Sequence, residues 1–540
     1  MASLNNEQLD DPLIFDGCPD FSGGQYSNRP AGVLTSSQYL LGLNIDIKTK
    51  LAVTRRGTMA LPAPAGSRIQ ALQWFSTPAL SETIAIAGGA AYKYDENTWT
   101  LIAGYTAAGG GTPQIGTAQL INNVYIADAT TNLFSWDGAT MTDLGSGDNT
   151  HPPQGSIVTS ASSRLFLAGN PAVPDAITAS QALAAGWANN TLQIRIGAGD
   201  GDPIVALVGW DSSQIVVFKR NSVYIMTADP AVTATDLSQA TVTKVTDVLG
   251  CVAQRSACVV GSDVWFLSDS GVRSIKRVLA QDQREVSQAI SEPINDLIQR
   301  INPAAAGKCA AGYWDNKYML SVPLDNATEP NAVLVFDTLQ QTWAGYWTGW
   351  APLCFCLTKP GGNQRLNFGQ PDGSIWRWLD YIPVENEDAA TFQDGGSPTG
   401  AGNFIHTRLE SCGMKFGDGS VNIGAGGVGF TDSLSPKALF NVETTFYLSE
   451  APVDVALSFD QGIELPLALA VDTTGGSVLL LPFLLPQILS SIQVKRRAFP
   501  CRQFNPFREL QVALDAPMGK LAVRTIQASA FSDTVLPEER

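Results

Sequence analysis

With 540 residues, 44% of them hydrophobic, and with 50 Gly and 31 Pro, the chain is too long for one hydrophobic core. Its evenly spread apolar residues exclude disorder, so it reads as a turn-rich, mostly β protein with more than one folding unit. The 34 Lys plus Arg stand against 50 Asp plus Glu, and a net charge of −16 repels a phosphate backbone, which argues against sequence-reading of nucleic acid. Only 16% of residues are charged, a composition that suits a chain hiding surface in an assembly.

Residues 1–30 lack periodicity and carry Gly, Pro and Asp clusters, which predicts an extended arm. Met1–Asp11 is polar and acidic, without the basic start and apolar core of a signal peptide. An amphipathic strand over LGLNIDIKTKLAVT leads to Arg55-Arg56-Gly57, where a DNA contact by the arginine pair is weighed against the favoured reading, a solvated or salt-bridged turn. Residues near 40–53 are candidates for a strand that completes a ring.

Repeats begin at Ile69. Apolar runs end in Tyr94-Asp95 before Trp99, in Trp136-Asp137-Gly138, and in Phe336-Asp337 before Trp343. An Asp there accepts hydrogen bonds from turn amides while the aromatic packs between sheets. The pattern is plainest from Asp202 to Met226 and from Gln254 to Val278. Each stretch runs strand, tight polar turn, strand, turn, strand. Unit starts near 69, 115, 156, 203, 254, 308 and 351 give about seven blades of a β-propeller, with six to eight open, at a period of roughly 40–50 residues. Asp175–Ala188, rich in Ala, and Asp282–Ile301, divided by Pro293, read as helical insertions between blades.

Residues 383–403 are acidic and rich in Gly and Pro, which predicts a linker or long loop between a propeller at 61–382 and a second unit at 404–540. In that unit Phe404–Phe416, Ala438–Leu448, Val453–Leu457, Gln493–Lys495, Leu510–Leu514 and Leu521–Ala528 read as strands of a β-sandwich. The apolar run Val478–Leu489 is too short to cross a bilayer and contains two prolines. It reads as sandwich packing, a subunit contact or a hydrophobic tip.

The residues assemble no catalytic, cofactor-binding or metal-ligand set. His151 and His406 are the only histidines and neither sits in a catalytic framework. Gly197–Asp202 superficially resembles a phosphate or calcium loop, but it lacks the Lys-Ser/Thr of a P-loop and opens no helix. Its default reading is a turn entering a blade. The eight cysteines, at 18, 251, 258, 309, 354, 356, 412 and 501, form no CxxC pair. Cys354 and Cys356 share one strand face and read as buried thiols, which favours a reducing compartment.

The stretches FSGG, NIDIKTKLAVTRRG, GDGDPIVALVGWDSSQIVVFKRNSVYIM, GCVAQRSACVVGSDVWFLSDSGVRSI, SQAISEPINDLIQRI and NFGQPDGSIWRW are each weak alone. Their order over roughly residues 20–380 resembles that of short-tail nozzle or hub proteins of tailed bacteriophages, including packaged-DNA stabilisation proteins. The resemblance implies a non-enzymatic virion protein of the phage tail, assembled in the host cytoplasm. It implies a hexameric ring below portal and adaptor that closes the DNA exit channel, opens in genome ejection, and carries fibres or spikes outside. Genomic DNA would pass it without sequence-specific binding. A glycan-binding or glycan-degrading tail propeller is the alternative, and it requires paired carboxylates or an aromatic platform in one cleft.

Overall fold

The computed structural model describes residues 14–532, apart from 66–67, 112–113, 146–147, 184–185, 189–190, 230–232, 234–235, 281–287, 398–401, 417–420, 425–426, 431–436, 448–451, 473–493 and 501–506. Within these, seven small antiparallel sheets follow one another between Ile69 and Trp378. Their innermost strands are Ile69–Ser76, Gly116–Leu120, Ile157–Ala161, Ile204–Gly209, Cys258–Val260, Ala310–Trp314 and Cys354–Thr358. Successive sheets pack side by side and the seventh packs against the first, so the ring closes as a seven-bladed β-propeller. Each starting point read from the sequence lies within four residues of an inner strand.

Local chemistry makes the blades. In the fourth, Ile204–Gly209, Gln214–Lys219, Val223–Thr227 and Thr241–Thr246 pair in chain order. The first turn is shaped by the Asp211 carboxylate, which accepts from the Ser213 and Gln214 amides at 2.8 and 2.7 Å. Asp95 does the same for Asn97 and Thr98, and Asp137 for Ala139 and Thr140. The aromatics preceding Asp95 and Asp137 are buried between sheets, as with Trp136, whose ring lies 4.9 Å from Phe75 of the first blade, whereas Trp210 before Asp211 is only half-buried. A sheet must bury its apolar face against another element, so stability comes from these inter-blade layers, about 1.5–3 kcal/mol for each large apolar side chain buried.

Between the sixth and seventh blades the layer does not stop. Met319, Val335, Trp347, Phe368 and Trp378 belong to one continuous core with Leu409, Val442, Val455, Leu514 and Ile526 of the C-terminal unit. That unit is a sandwich of two sheets. One is built from Ile45–Lys48, Leu51–Thr54, Ala522–Ser532, Lys437–Tyr447 and Val494–Pro500, with Ile14–Cys18 on its side. The other continues the sixth blade: its last strand, Thr342–Thr348, pairs in parallel with Gln38–Leu43, followed by Thr407–Ser411, Leu510–Ala516, Pro452–Phe459 and Leu465–Asp472. Propeller and sandwich thus share both a sheet and a core.

Four expectations are corrected. The described part of the N-terminal segment is no arm, because Ile14–Cys18 pairs with Ala522–Ser532 and Cys18 and Phe21 are buried. The ring is completed by Thr58–Ala60, paired with Ile375–Trp378, and not by residues 40–53, which belong to the sandwich sheets. The acidic stretch after residue 382 is packed: Asp388 caps a short turn at Thr391, and Gln393–Asp394 pairs with Asn403–Phe404. Helix propensity is overruled at Asp175–Ala188, where Ala176–Ala179 is a strand held by Phe166 and Leu167 and its buried Ile177 and Ala179 fill the core. In the second insertion a 3₁₀ turn, Glu292–Ile294, leads into a one-turn helix, Asn295–Gln299. An unforeseen helix, Ile275–Ala280, follows the fifth blade, which has three strands among the described residues.

Candidate functional site

The axis of a propeller is the usual place to look for chemistry, since all inner strands start there. Here the connector into the fifth blade places two side chains across it. The Arg255 guanidinium donates to the carbonyls of Leu353 (3.0 Å), Ile115 (2.8 Å) and Gln70, at the inner-strand starts of the seventh, second and first blades. Gln254 donates to Ser156 of the third blade at 3.1 Å, and the Arg255 carbonyl accepts from Ala311 of the sixth at 2.7 Å. Residues 254 and 255 therefore tie five other blades together at one end of the hub. Burial pulls the Arg255 pKa down, yet a guanidinium starts so high that it stays cationic at neutral pH. Its partners are carbonyl dipoles, so the group can lock the ring but offers no base, no nucleophile and no proton that it gives up at neutral pH.

A second polar constellation lies at the seam with the sandwich. Arg55 is fully buried and grips Asp394 with two bonds, at 2.9 and 2.5 Å. It also donates to Asn44 Oδ1 (2.9 Å) and the Thr348 carbonyl (2.6 Å), and its guanidinium stands over the Trp350 ring at 4.8 Å. Trp350 Nε1 and Thr58 Oγ1 complete the shell of Asp394 at 2.9 and 3.2 Å. Next to it, Arg56 holds Glu387 at 2.7 Å, and Lys520 from the sandwich holds the same carboxylate at 2.6 Å. Burial pushes the Glu387 carboxyl up, and the bonds from Lys520 and Arg56 more than offset this, leaving it below the usual glutamate range. Lys317 sits between Asp46 (3.3 Å) and Asp337 (3.7 Å), all three buried. The Arg55-Arg56 pair is thus a buried double ion pair that fastens the N-terminal segment, the seventh blade and the sandwich.

The remaining residues singled out in the sequence lie apart. Asp200 is engaged by Lys219 Nζ, 2.7 Å from each carboxylate oxygen, and Asp202 accepts from Asn221 N and Ser222 Oγ. Their carboxylates are spent on shaping the entry to the fourth blade. His151 pairs with Asp148 and His406 with Asp515, each at 2.6 Å, so each histidine has its own carboxylate partner. Asp148 is drawn down to about 2 by the Thr150 amide and by His151. A cleft of about 290 Å³ beside the strand Leu465–Asp472 contains two carboxylates, Glu410 and Glu464, but Arg408 binds both. Among the described residues no group of three or more His, Cys, Asp or Glu could hold a metal ion, and no helix is long and apolar enough to cross a membrane. Val478–Leu489 lies outside the described residues.

Arg255 escaped the sequence reading. Its signal is an isolated cation between two apolar runs, Cys251-Val252-Ala253 and Ala257-Cys258-Val259, just ahead of an inner strand.

No protein-family model and no curated protein matches the chain. Among solved structures, the computationally designed Ika8 protein aligns over 63% of this chain and 99% of its own, with 12% identity and a TM-score of 0.36. YCF48 bound to D1 peptide aligns over 60% and 97%, with 10% identity and a TM-score of 0.38. The propeller assignment rests on the sheet topology.

Proposed function

We propose that the chain is a structural subunit of a phage tail, forming the nozzle or hub ring that closes the DNA exit below portal and adaptor and gates ejection. The observation that carries this reading is the single body made by propeller and sandwich. A shared sheet, a shared core and buried ion pairs suit a rigid building block that transmits force between neighbours. The ordered motifs between residues 20 and 380 supply the resemblance to the nozzle group. Because Arg255 ties the blades across one end of the axis of each propeller, the DNA path in this reading runs between subunits, around the symmetry axis of a hexamer. A net charge of −16 suits a lumen that does not hold passing phosphates. Portal and adaptor proteins would bind one rim, and fibres or spikes the outside.

Mass measurement in solution tests the proposal, on the purified chain alone and after mixing with a portal–adaptor complex. A sixfold assembly in either case is the expected result. A chain that stays monomeric in both and hydrolyses bacterial surface polysaccharide refutes it.

A further inference from the structure

We propose that Cys18 and Cys412 form a disulfide that staples the two sheets of the sandwich across their common core. Their sulfurs lie 2.9 Å apart and both residues are buried. That is well inside the roughly 3.5–4 Å at which non-bonded heavy atoms rest, and within about an ångström of a covalent S–S bond. Cys18 ends the strand Ile14–Cys18 in one sheet, opposite Ile526, and Cys412 directly follows Thr407–Ser411 in the other. The two segments are held together independently of the sulfurs, because Asp16 Oδ2 accepts from the Lys415 and Phe416 amides at 2.8 and 3.0 Å. Phe21, Tyr39, Met414 and Phe416 belong to the same buried core and keep water away. Among the described residues no other two sulfurs meet: Cys251 is turned to Ala253 O and Ser256 Oγ, and Cys356 to Leu357 O.

The chemistry is thiol–disulfide exchange with a small-molecule disulfide of the glutathione class. One protein thiolate attacks a sulfur of the oxidant, forming a mixed disulfide and expelling one small thiolate. The second protein thiolate then attacks the mixed disulfide and expels the other. One S–S bond breaks and one forms, two electrons pass to the oxidant, and the two protons end on its released thiols. The hydrogen bond to Cys412, followed by burial, holds the Cys18 thiol well above its ordinary pKa, so the closed chain is a slow nucleophile. Bond formation therefore belongs to folding, before the sandwich shuts, or to opening of the strand Ile14–Cys18. The inference is independent of the ring proposal and would survive its failure.

The test compares full-length protein made in a cytoplasm with intact thiol reduction and in one lacking it. Each sample is unfolded in iodoacetamide, digested and mapped by mass spectrometry. The oxidised sample is expected to yield a peptide pair joining Cys18 to Cys412, about 2 Da lighter than the two thiol peptides together and lost on reduction. Full alkylation of both residues in folded protein from the oxidising host overturns the proposal, as does a bond from either to a different cysteine. Thermal unfolding gives a second readout. The midpoint of the oxidised protein should fall by about 4 °C or more on reduction, and that of Cys412→Ala should not respond. Equal sensitivity to reductant in the two proteins also overturns it.

Discussion

Replacing Arg55 by Met tests whether the seam between propeller and sandwich is held by its buried ion pair. The substitution keeps much of the apolar stem and removes the donors that reach Asp394, Asn44 and Thr348. Asp394 would then sit almost fully buried with two neutral donors, Trp350 Nε1 and Thr58 Oγ1. Removing one partner of a buried pair costs about 3–5 kcal/mol, and the two remaining donors place this site toward ~3. Arg55→Lys keeps the charge but loses the fork, and about half the loss is expected. In the double variant with Asp394→Leu, the cost should fall short of the sum of the two single losses by about 1–3 kcal/mol, because neither charge is left alone. Urea titration followed by tryptophan fluorescence is the assay, since Trp347 and Trp350 pack beside the guanidinium and Trp378 packs on both rings. Far-UV circular dichroism should give the same midpoint, as both units share a core. A loss below about 1 kcal/mol for Arg55→Met, or additive single and double losses, would refute the reasoning.

Arg255→Met removes three carbonyl partners at the hub; the carbonyls regain water, so a loss of ~1–3 kcal/mol is expected, with faster amide exchange near Ala71 and Gly116 by mass spectrometry. Gly57→Ala sets a Cβ 1.9 Å from the Gln393 carbonyl oxygen, a backbone clash, and should cost at least ~2 kcal/mol in the same titration. The depressed Glu387 carboxyl contributes stability that is complete above about pH 5 and fades as the pH falls through its folded value. Urea midpoints measured between about pH 5 and 3 should therefore fall less steeply in Glu387→Gln.

What the sequence disclosed is what is local. Each blade is written in short β-branched runs and in aspartates whose carboxylates meet amides two and three residues on, as at Asp95, Asp137 and Asp337. Such signals are readable within ten residues. The pairings that decide the architecture are not, because Met59 meets Arg377 and Cys18 meets Ile526 with nothing in either segment's pattern to name its mate. The alanine-rich stretch at 175–188 misled for the same reason, since a tertiary neighbour outweighed a weak intrinsic preference. Arg55 and Arg56 drew notice as charges, and only the fold supplies Asp394 and Glu387 to bury them.

The weave of the first sixty residues also dictates an order of events at the ribosome. Thr58–Ala60 emerges early but has no mate until Ile375–Trp378 follows, roughly 300 residues later. At about 5–20 residues per second that is a wait of some 15–60 s. Ile14–Cys18 waits longer still, for Ala522–Ser532, roughly 500 residues further along the chain. Nascent blades can stack one by one meanwhile, but the circle cannot shut before residues 375–378 have emerged, nor the two-layered unit before residues 522–532. A ribosome stalled anywhere before residue 375 would therefore hold an open, sticky crescent, and fragments cut short there should need chaperones to stay in solution.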